Sequence, residues 1–409
     1  MPGAVGDVGA GGFRSQRPHD PSGSLVDPHR VRRTRAISDH SVVIPTRNDP
    51  VRLASCLGSI LEARSGSWDY EVLVMDNSDE VYRQANALAV ASCADTRVRH
   101  VDMVDVGLMA ARHQGVELAN GGIVSFIDQD ELLLPAWFEG VRACMKDPAV
   151  ALATGPLVPR YEARPPDWFE YFWRTDKNGR HMLPLTLYDG GDTERDIDPI
   201  WVMGGNLTIR KAVFTEVRGS HPDSMPSELE AFEGDGETGL TVKVRAAGYR
   251  ARYTPDCAVL HAVPASRMTL DHMQRRARYD GRVESFTGVR REHGLGPSRG
   301  VPDEETVPVS AQTWLPRRAV RFAGRRLRAA VAPGPRSSMP VPRMVAQDVR
   351  RQMAVARQEG FEAHREILAA LPCLRDYVCR PDFLGANSAL PTDCLPGYKG
   401  QGARPGPER

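Results

Sequence analysis

Val42, Val43 and Ile44 form a short continuous apolar run within Ser41–Pro45, the pattern of a strand buried on both faces. Asp49 then suits a helix N-cap and Pro50 the first helical position. Leu53, Leu57, Ile60 and Leu61 recur on one helical face behind them. Further apolar runs at 71–75, 98–103 and 123–127 read as strands, the last preceded by a helix over about 108–119. Strand, helix, strand, helix, strand is the alternation of a parallel sheet covered by helices on both faces. In such sheets ligands gather beyond the carboxyl ends of the strands. Those ends are polar here: Pro45–Asn48, Asp76–Ser78 and Asp128–Glu131.

Past residue 156 the pattern weakens. Residues 157–200, with Pro159, Pro165, Pro166, Trp168, Tyr171, Phe172 and Trp173, read as a long ordered loop. Gly204-Gly205-Asn206 opens an apolar stretch at 207–209. Leu240, Val244 and Ala247 predict a helix over 237–247. Strands follow at 251–254 and 257–260, the second ending in His261. Beyond residue 300, Pro-rich turns separate a basic helix, Arg317–Val331, from a helical tract over 345–371 with a break at Gly360, and the tail reads as irregular. Residues 1–39, rich in Gly, Pro, Ser, Asp and Arg without apolar periodicity, read as a disordered leader. The expected organisation is therefore a leader (1–39), an α/β domain (40–295, with halves 40–155 and 156–295) and a helical C-terminal extension (296–409).

Composition narrows the function classes. The 409 residues leave room for two or three domains at roughly 100–200 residues each. Lys+Arg 53 against Asp+Glu 52 gives a net charge of +1, which excludes a globally basic, nucleic-acid-binding chain. No run of apolar residues reaches the ~18 of a membrane span, and no signal pattern opens the chain. Seven scattered cysteines without a CxxC argue against a disulfide framework or zinc knuckle and for a cytoplasmic protein. The excess of arginine over lysine reads as the base composition of a GC-rich bacterial genome. The Arg317–Val331 helix, with Phe322, Leu327 and Val331 among its arginines, suits anionic lipid at the inner membrane face, the chain's own acidic surface or a homodimer contact.

The sharpest chemical signal is Asp128-Gln129-Asp130. Two carboxylates one residue apart at the exposed end of a buried strand suit Mg2+ or Mn2+, whose shell substrate phosphates and water complete. A solvated strand-end turn gives the same pattern. A dehydrogenase is excluded because no G-x-G-x-x-G follows a strand.

The order of segments resembles the family 2 glycosyltransferases, which have the GT-A fold. Ser41-Val-Val-Ile-Pro-Thr-Arg-Asn48 looks like that family's opening strand, and Glu71-Val-Leu-Val-Met-Asp-Asn77 like its second strand. Gly107-Leu-Met-Ala-Ala-Arg-His-Gln-Gly115 resembles its Ala-Arg-Asn-x-Gly segment, with His113 in place of Asn. Asp128-Gln-Asp130 matches its metal-binding pair, and Gly204-Gly-Asn206 its acceptor-side glycines. Glu237-Thr-Gly-Leu240 with Arg245-Ala-Ala-Gly-Tyr249 resembles its catalytic-base helix. The resemblance covers residues 41–285.

What the resemblance implies is an inverting transfer from a nucleoside diphosphate sugar to an acceptor hydroxyl, with Mg2+ or Mn2+ assisting. Glu237 would be the base, with Asp235 as the alternative, because the usual Glu-Asp pair is replaced by Gly236-Glu237 and a further acid by Gly239. Pro45, Thr46, Arg47, Asn48, Asp76, Arg112 and Asp128 would contact the nucleotide sugar. Asp76 as an acceptor favours UDP- or dTDP-sugars. Asp128, Asp130 and His261 would hold the metal. Arg275 and Arg276 belong either to a flexible segment closing over the diphosphate or to a solvated helix face. Gly204, Gly205, Asn206 and Trp168 would face the sugar or acceptor, a small specialised metabolite or a glycan precursor. Two alternatives stay open: a metal-dependent nucleotidyltransferase, although Pro45–Asn48 holds no glycine, and a non-catalytic nucleotide- or carbohydrate-binding relative.

Overall fold

The computed structural model describes residues 39–105, 107–295, 343–385 and 389–395. The leader and the Arg317–Val331 helix lie outside them. The chain opens β1 (His40–Thr46), α1 (Pro50–Glu62), β2 (Tyr70–Asp76), α2 (Glu80–Ser92), β3 (Val98–Asp102), α3 (Leu108–Leu118) and β4 (Ile123–Ile127). Asp49 does cap α1, accepting from the Arg52 N–H at 3.0 Å. Strands β1, β2, β3 and β4 pair in parallel, and β1 and β2 are buried at every position, as expected of a sheet covered on both faces. The sequence reading passes over α2, whose only buried residue is Asn86: a helix that buries so little leaves no apolar stripe to find.

The next elements are β5 (Glu131–Leu133), α4 (Trp137–Cys144), β6 (Val150–Thr154), β7 (Leu157–Tyr161), β8 (Arg174–Asp176), β9 (Gly179–Met182), β10 (Leu187–Asp189) and β11 (Arg195–Ile197). Residues 157–200, expected as a loop, thus form five short strands. Strands of 3–5 residues are too short to display alternation, and Pro159 stands in the middle of β7. There follow β12 (Asn206–Arg210), α5 (Lys211–Glu216), α6 (Gly236–Ala246), β13 (Arg250–Tyr253), β14 (Val259–Val263) and α7 (Leu270–Glu292).

Two sheets result. The larger has the order β11-β13-β6-β12-β4-β1-β2-β3, with β12 antiparallel to β4 and β6. The smaller runs β5-β14-β7-β10-β9-β8. The expected α/β sheet is present, and the second sheet is an addition to it. Beyond the gap come α8 (Arg343–Ala370) and α9 (Pro372–Val378), the expected helical C-terminal part. Gly360 does not break α8. Helices α7 and α8 cross at Gly281 and Gly360, where a Cβ on either residue would run into the other helix's backbone carbonyl, that of Arg357 or Arg278. The glycine reads as a breaker in sequence and serves as a contact in space. Cys373 is disulfide-bonded, whereas Cys56, Cys93, Cys144, Cys257 and Cys379 are free.

Candidate active site

The register of the two sheets builds the site. Strand β4 ends at Ile127, opposite Asn206 at the head of β12, which lays the Gly204–Gly205 turn on Asp128. A Cβ on Gly205 would collide with Glu131 and lie 3.0 Å from Asp128 Oδ2, and one on Gly204 would lie 2.8 Å from Arg112 Nη2 and 2.9 Å from Glu237 Cδ. These glycines bring a backbone turn against four charged side chains, which a larger residue forbids. On the other side, β5 pairs with β14 so that Glu131 faces His261, and the Ala262 N–H donates to the Asp130 carbonyl at 2.9 Å.

Three carboxylates converge on Arg112, whose side chain is only 4% exposed. Its guanidinium lies 3.4 Å from Asp128, 3.7 Å from Glu237 and 3.8 Å from Asp223. One buried cation thus joins the strand-end carboxylate of β4 to the acid on α6. Glu237 stands in the first turn of α6, where the helix end favours a carboxylate, yet its pKa is pushed up to about 7. Burial is the main cause and the charge of Asp223 the second, with Arg112 opposing. Burial likewise raises Asp128 against the pull of Arg112.

Asp235 is placed differently. It accepts from, or shares a proton with, His221 Nδ1 at 2.5 Å, away from Arg112. Burial pushes its pKa up, but the His221 contact together with Arg290 and Lys243 holds it below the usual carboxylate range. A Cβ at Gly239 would collide with His221 and lie 2.7 Å from Asp235 Oδ1. Of the two sequence candidates, Glu237 faces the convergent site and Asp235 anchors the helix that carries it.

Of the groups expected to hold a metal, Asp130 and His261 lie near each other. His261 Nδ1 lies 3.4 Å from Glu131 Oε1 and 4.0 Å from Asp130. Both Glu131 Oε1 and His261 Nδ1 are buried without a hydrogen-bond partner, and burial with Asp128 and Asp130 raises the Glu131 pKa well above its usual value. Orphaned polar atoms beside two carboxylates fit a divalent cation. Arg267, a residue the motifs did not single out for this place, lies on the same groups, 3.0 Å from Asp130 and 3.1 Å from His261 Nε2. A tighter trio of ligand-type groups, with one atom of each within 4.8 Å of the others, occurs at Asp76, His100 and Asp102 at the ends of β2 and β3. There Asp76 already accepts from Ser78 N at 2.9 Å and Asn86 at 3.1 Å, with His100 at 2.8 Å.

The expected nucleotide contacts sit at the adjoining strand ends. Gln129, the middle residue of the acidic pair, bonds the Thr46 hydroxyl and both backbone groups of Arg47. Asn48, at φ +56, exchanges hydrogen bonds with Asp79 and so ties the loop after β1 to the loop after β2. Pro45 and Thr46 end β1, and Asp76 is fully buried beneath them. Arg276 is held by Asp280 at 3.0 Å and lies near enough to lower the Glu237 pKa. Arg275 is paired with Asp271 on the exposed side of α7. Asn206 turns into the core, accepting from Trp137 Nε1 at 3.0 Å and donating to the Cys257 carbonyl at 2.7 Å. Trp168 packs edge-on against Phe169 and Phe172. Residues 270–292 form helix α7.

The strand ends of this α/β sheet thus carry an acidic pair that faces the half-buried Glu237 carboxylate across one arginine. Residues 41–215 match the glycosyl transferase family 2 model, the family that the motifs of this chain resemble. The chain is 26% identical over 151 residues to a glucosyl-dolichyl phosphate glucuronosyltransferase of Haloferax volcanii, across 36% of this chain and 44% of that one. It is 32% identical over 130 residues to a validoxylamine A glucosyltransferase of Streptomyces hygroscopicus subsp. limoneus, across 31% and 28%. The matched stretches thus span less than half the length of these relatives. Among solved structures, the mannosyltransferase PcManGT from Pyrobaculum calidifontis, in complex with GDP-Man and Mn2+, is similar at 18% identity and TM-score 0.43, covering 83% of this chain and 85% of that one. No helix among the described residues is long and apolar enough to cross a membrane.

Proposed function

We propose that the chain transfers a sugar from a nucleoside diphosphate sugar, with UDP- or dTDP-sugars favoured, to an acceptor hydroxyl with inversion at the anomeric carbon. The observation that carries this reading is the Arg112 junction, which sets a buried carboxylate of raised proton affinity, Glu237, opposite the Asp128–Asp130 strand end. A base with a pKa near the working pH is poised to accept a proton. Glu237 takes the hydroxyl proton as the acceptor oxygen bonds to the anomeric carbon. The bond from that carbon to the diphosphate breaks, and its electron pair leaves with the diphosphate. Asp128, Asp130 and His261 would hold Mg2+ or Mn2+, which when bound supplies positive charge for the leaving diphosphate. Arg112 keeps Asp128 and Glu237 in register, and Gly204–Gly205 closes the floor between them. The relatives named as glucosyl- and glucuronosyltransferases support a hexosyl donor; a small specialised metabolite or a glycan precursor is the acceptor class.

The test is release of nucleoside diphosphate from a panel of UDP-, dTDP- and GDP-hexoses with Mn2+ and hydroxylated acceptors. Glu237→Gln is expected to lower the rate by about 10²–10⁴-fold while leaving nucleotide binding intact. Unchanged turnover in that variant would remove Glu237 as the base.

A further inference from the structure

Asp223 has no counterpart among the residues read from the motifs. It lies between α5 and α6 and is 6% exposed. The Tyr279 hydroxyl from α7 donates to its Oδ1 at 2.7 Å, and the Ser224 hydroxyl at 3.1 Å. On its other oxygen it meets Arg112. Gly236 passes so close that a Cβ there would lie 2.5 Å from Asp223 Oδ2, and its φ of +51 is one that L side chains rarely adopt. Two separate requirements therefore keep residue 236 a glycine, and together they set the Asp223 carboxylate beside the residue that follows, Glu237.

Charged and titratable groups face Glu237 from three elements: Arg112 on α3, Asp223 on the loop, and Arg276 and Tyr279 on α7. With Asp223 absent, the Arg112 guanidinium would be shared between Asp128 and Glu237 only and would hold Glu237 more firmly ionised, a poorer proton acceptor. With Asp223 present, it is divided among three carboxylates. We propose that Asp223, held in place by Tyr279, is a positioning residue for Glu237: it draws Arg112 away from full pairing with the base and keeps the base able to take up a proton. This rests on Glu237 being the base in the reading above.

The experiment is a carbon-13 NMR titration of the full chain labelled at glutamate Cδ and aspartate Cγ, without substrate. One glutamate resonance, absent in Glu237→Gln, should titrate with a midpoint near 7. In Asp223→Asn that midpoint should fall by about one pH unit or more. In the wild type, one aspartate resonance, absent in Asp223→Asn, should inflect at the same pH and lose that inflection in Glu237→Gln. A Glu237 midpoint unmoved in Asp223→Asn overturns the proposal, as does an aspartate resonance blind to Glu237. Should Asp223→Asn not fold, the comparison of wild type with Glu237→Gln decides. Because no sugar is involved, failure here leaves the transferase reading standing. Failure of nucleotide turnover removes the base's task without touching the coupling.

Discussion

Two carboxylates two residues apart, Asp235 and Glu237, carry opposite burdens, and their pH dependences have opposite signs. Glu237 has a folded pKa raised to about 7, chiefly by burial. Its contribution is therefore fully present below the ordinary glutamate range and is lost as pH rises through 7. Glu237→Gln should gain stability relative to the wild type at pH 8, by about 1–3 kcal/mol, and the gain should vanish near pH 4.5; thermal melts at the two pH values check it. Asp235 has a depressed folded pKa, because burial is outweighed by His221 together with Arg290 and Lys243. Its contribution is present above the ordinary aspartate range and lost as pH falls through the folded value. Asp235→Asn should thus cost about 1.5–3 kcal/mol at pH 7, with a smaller loss in acid, and should keep the activity inflection set by Glu237. An inflection that moves with Asp235 instead would reverse the two roles. In the sequence both acids were legible as candidates, but the choice between them was not. It depends on His221 and Arg112, which lie 14 and 125 positions away from the acids they touch, 235 and 237.

At the scale of elements, what was legible followed burial. The strands β1, β2 and β4 and the helices α1 and α3 carry continuous or periodic apolar positions and stand where the pattern put them. Helix α2 buries only a polar residue, and the smaller sheet is built of strands too short to alternate, so neither left a readable signal. That sheet matters to the site, because β14 delivers His261 to Asp130 and Glu131. The apolar run at 257–260 predicted the strand that carries His261, but not the second sheet that this strand joins. The C-terminal helix was legible as a helix and misread at Gly360. Its crossing with α7 is the closest helix–helix approach that the glycines report, and α7 carries Tyr279 and Arg276 to the site. Gly360→Val should therefore destabilise the chain by about 1–3 kcal/mol through overpacking and expose 343–378 to limited proteolysis. A variant as resistant as the wild type would show that the crossing is dispensable.

In the whole molecule, both sheets and helices α3, α6 and α7 contribute to one acidic centre that no single segment contains. Asp128 and Asp130 come from the end of the parallel half, His261 and Arg267 from β14 and the turn after it, Glu237 from α6, and Arg112 spans the gap. The family resemblance named most of these residues because their order along the chain is itself a pattern. It did not name Asp223, which is set by packing alone. The central claim is that this centre binds a nucleoside diphosphate together with a divalent cation. The direct measurement is a thermal-shift panel of UDP, dTDP, GDP and CDP, each with and without Mn2+, on the wild type and Asp130→Ala. Saturation at about 100 times Kd adds about 2.7 kcal/mol, a rise of about 5 °C for a chain of this size. A rise that needs Mn2+, favours UDP or dTDP and is lost in Asp130→Ala is the predicted result. No rise with any nucleotide, or a rise that Asp130→Ala leaves intact, would contradict it.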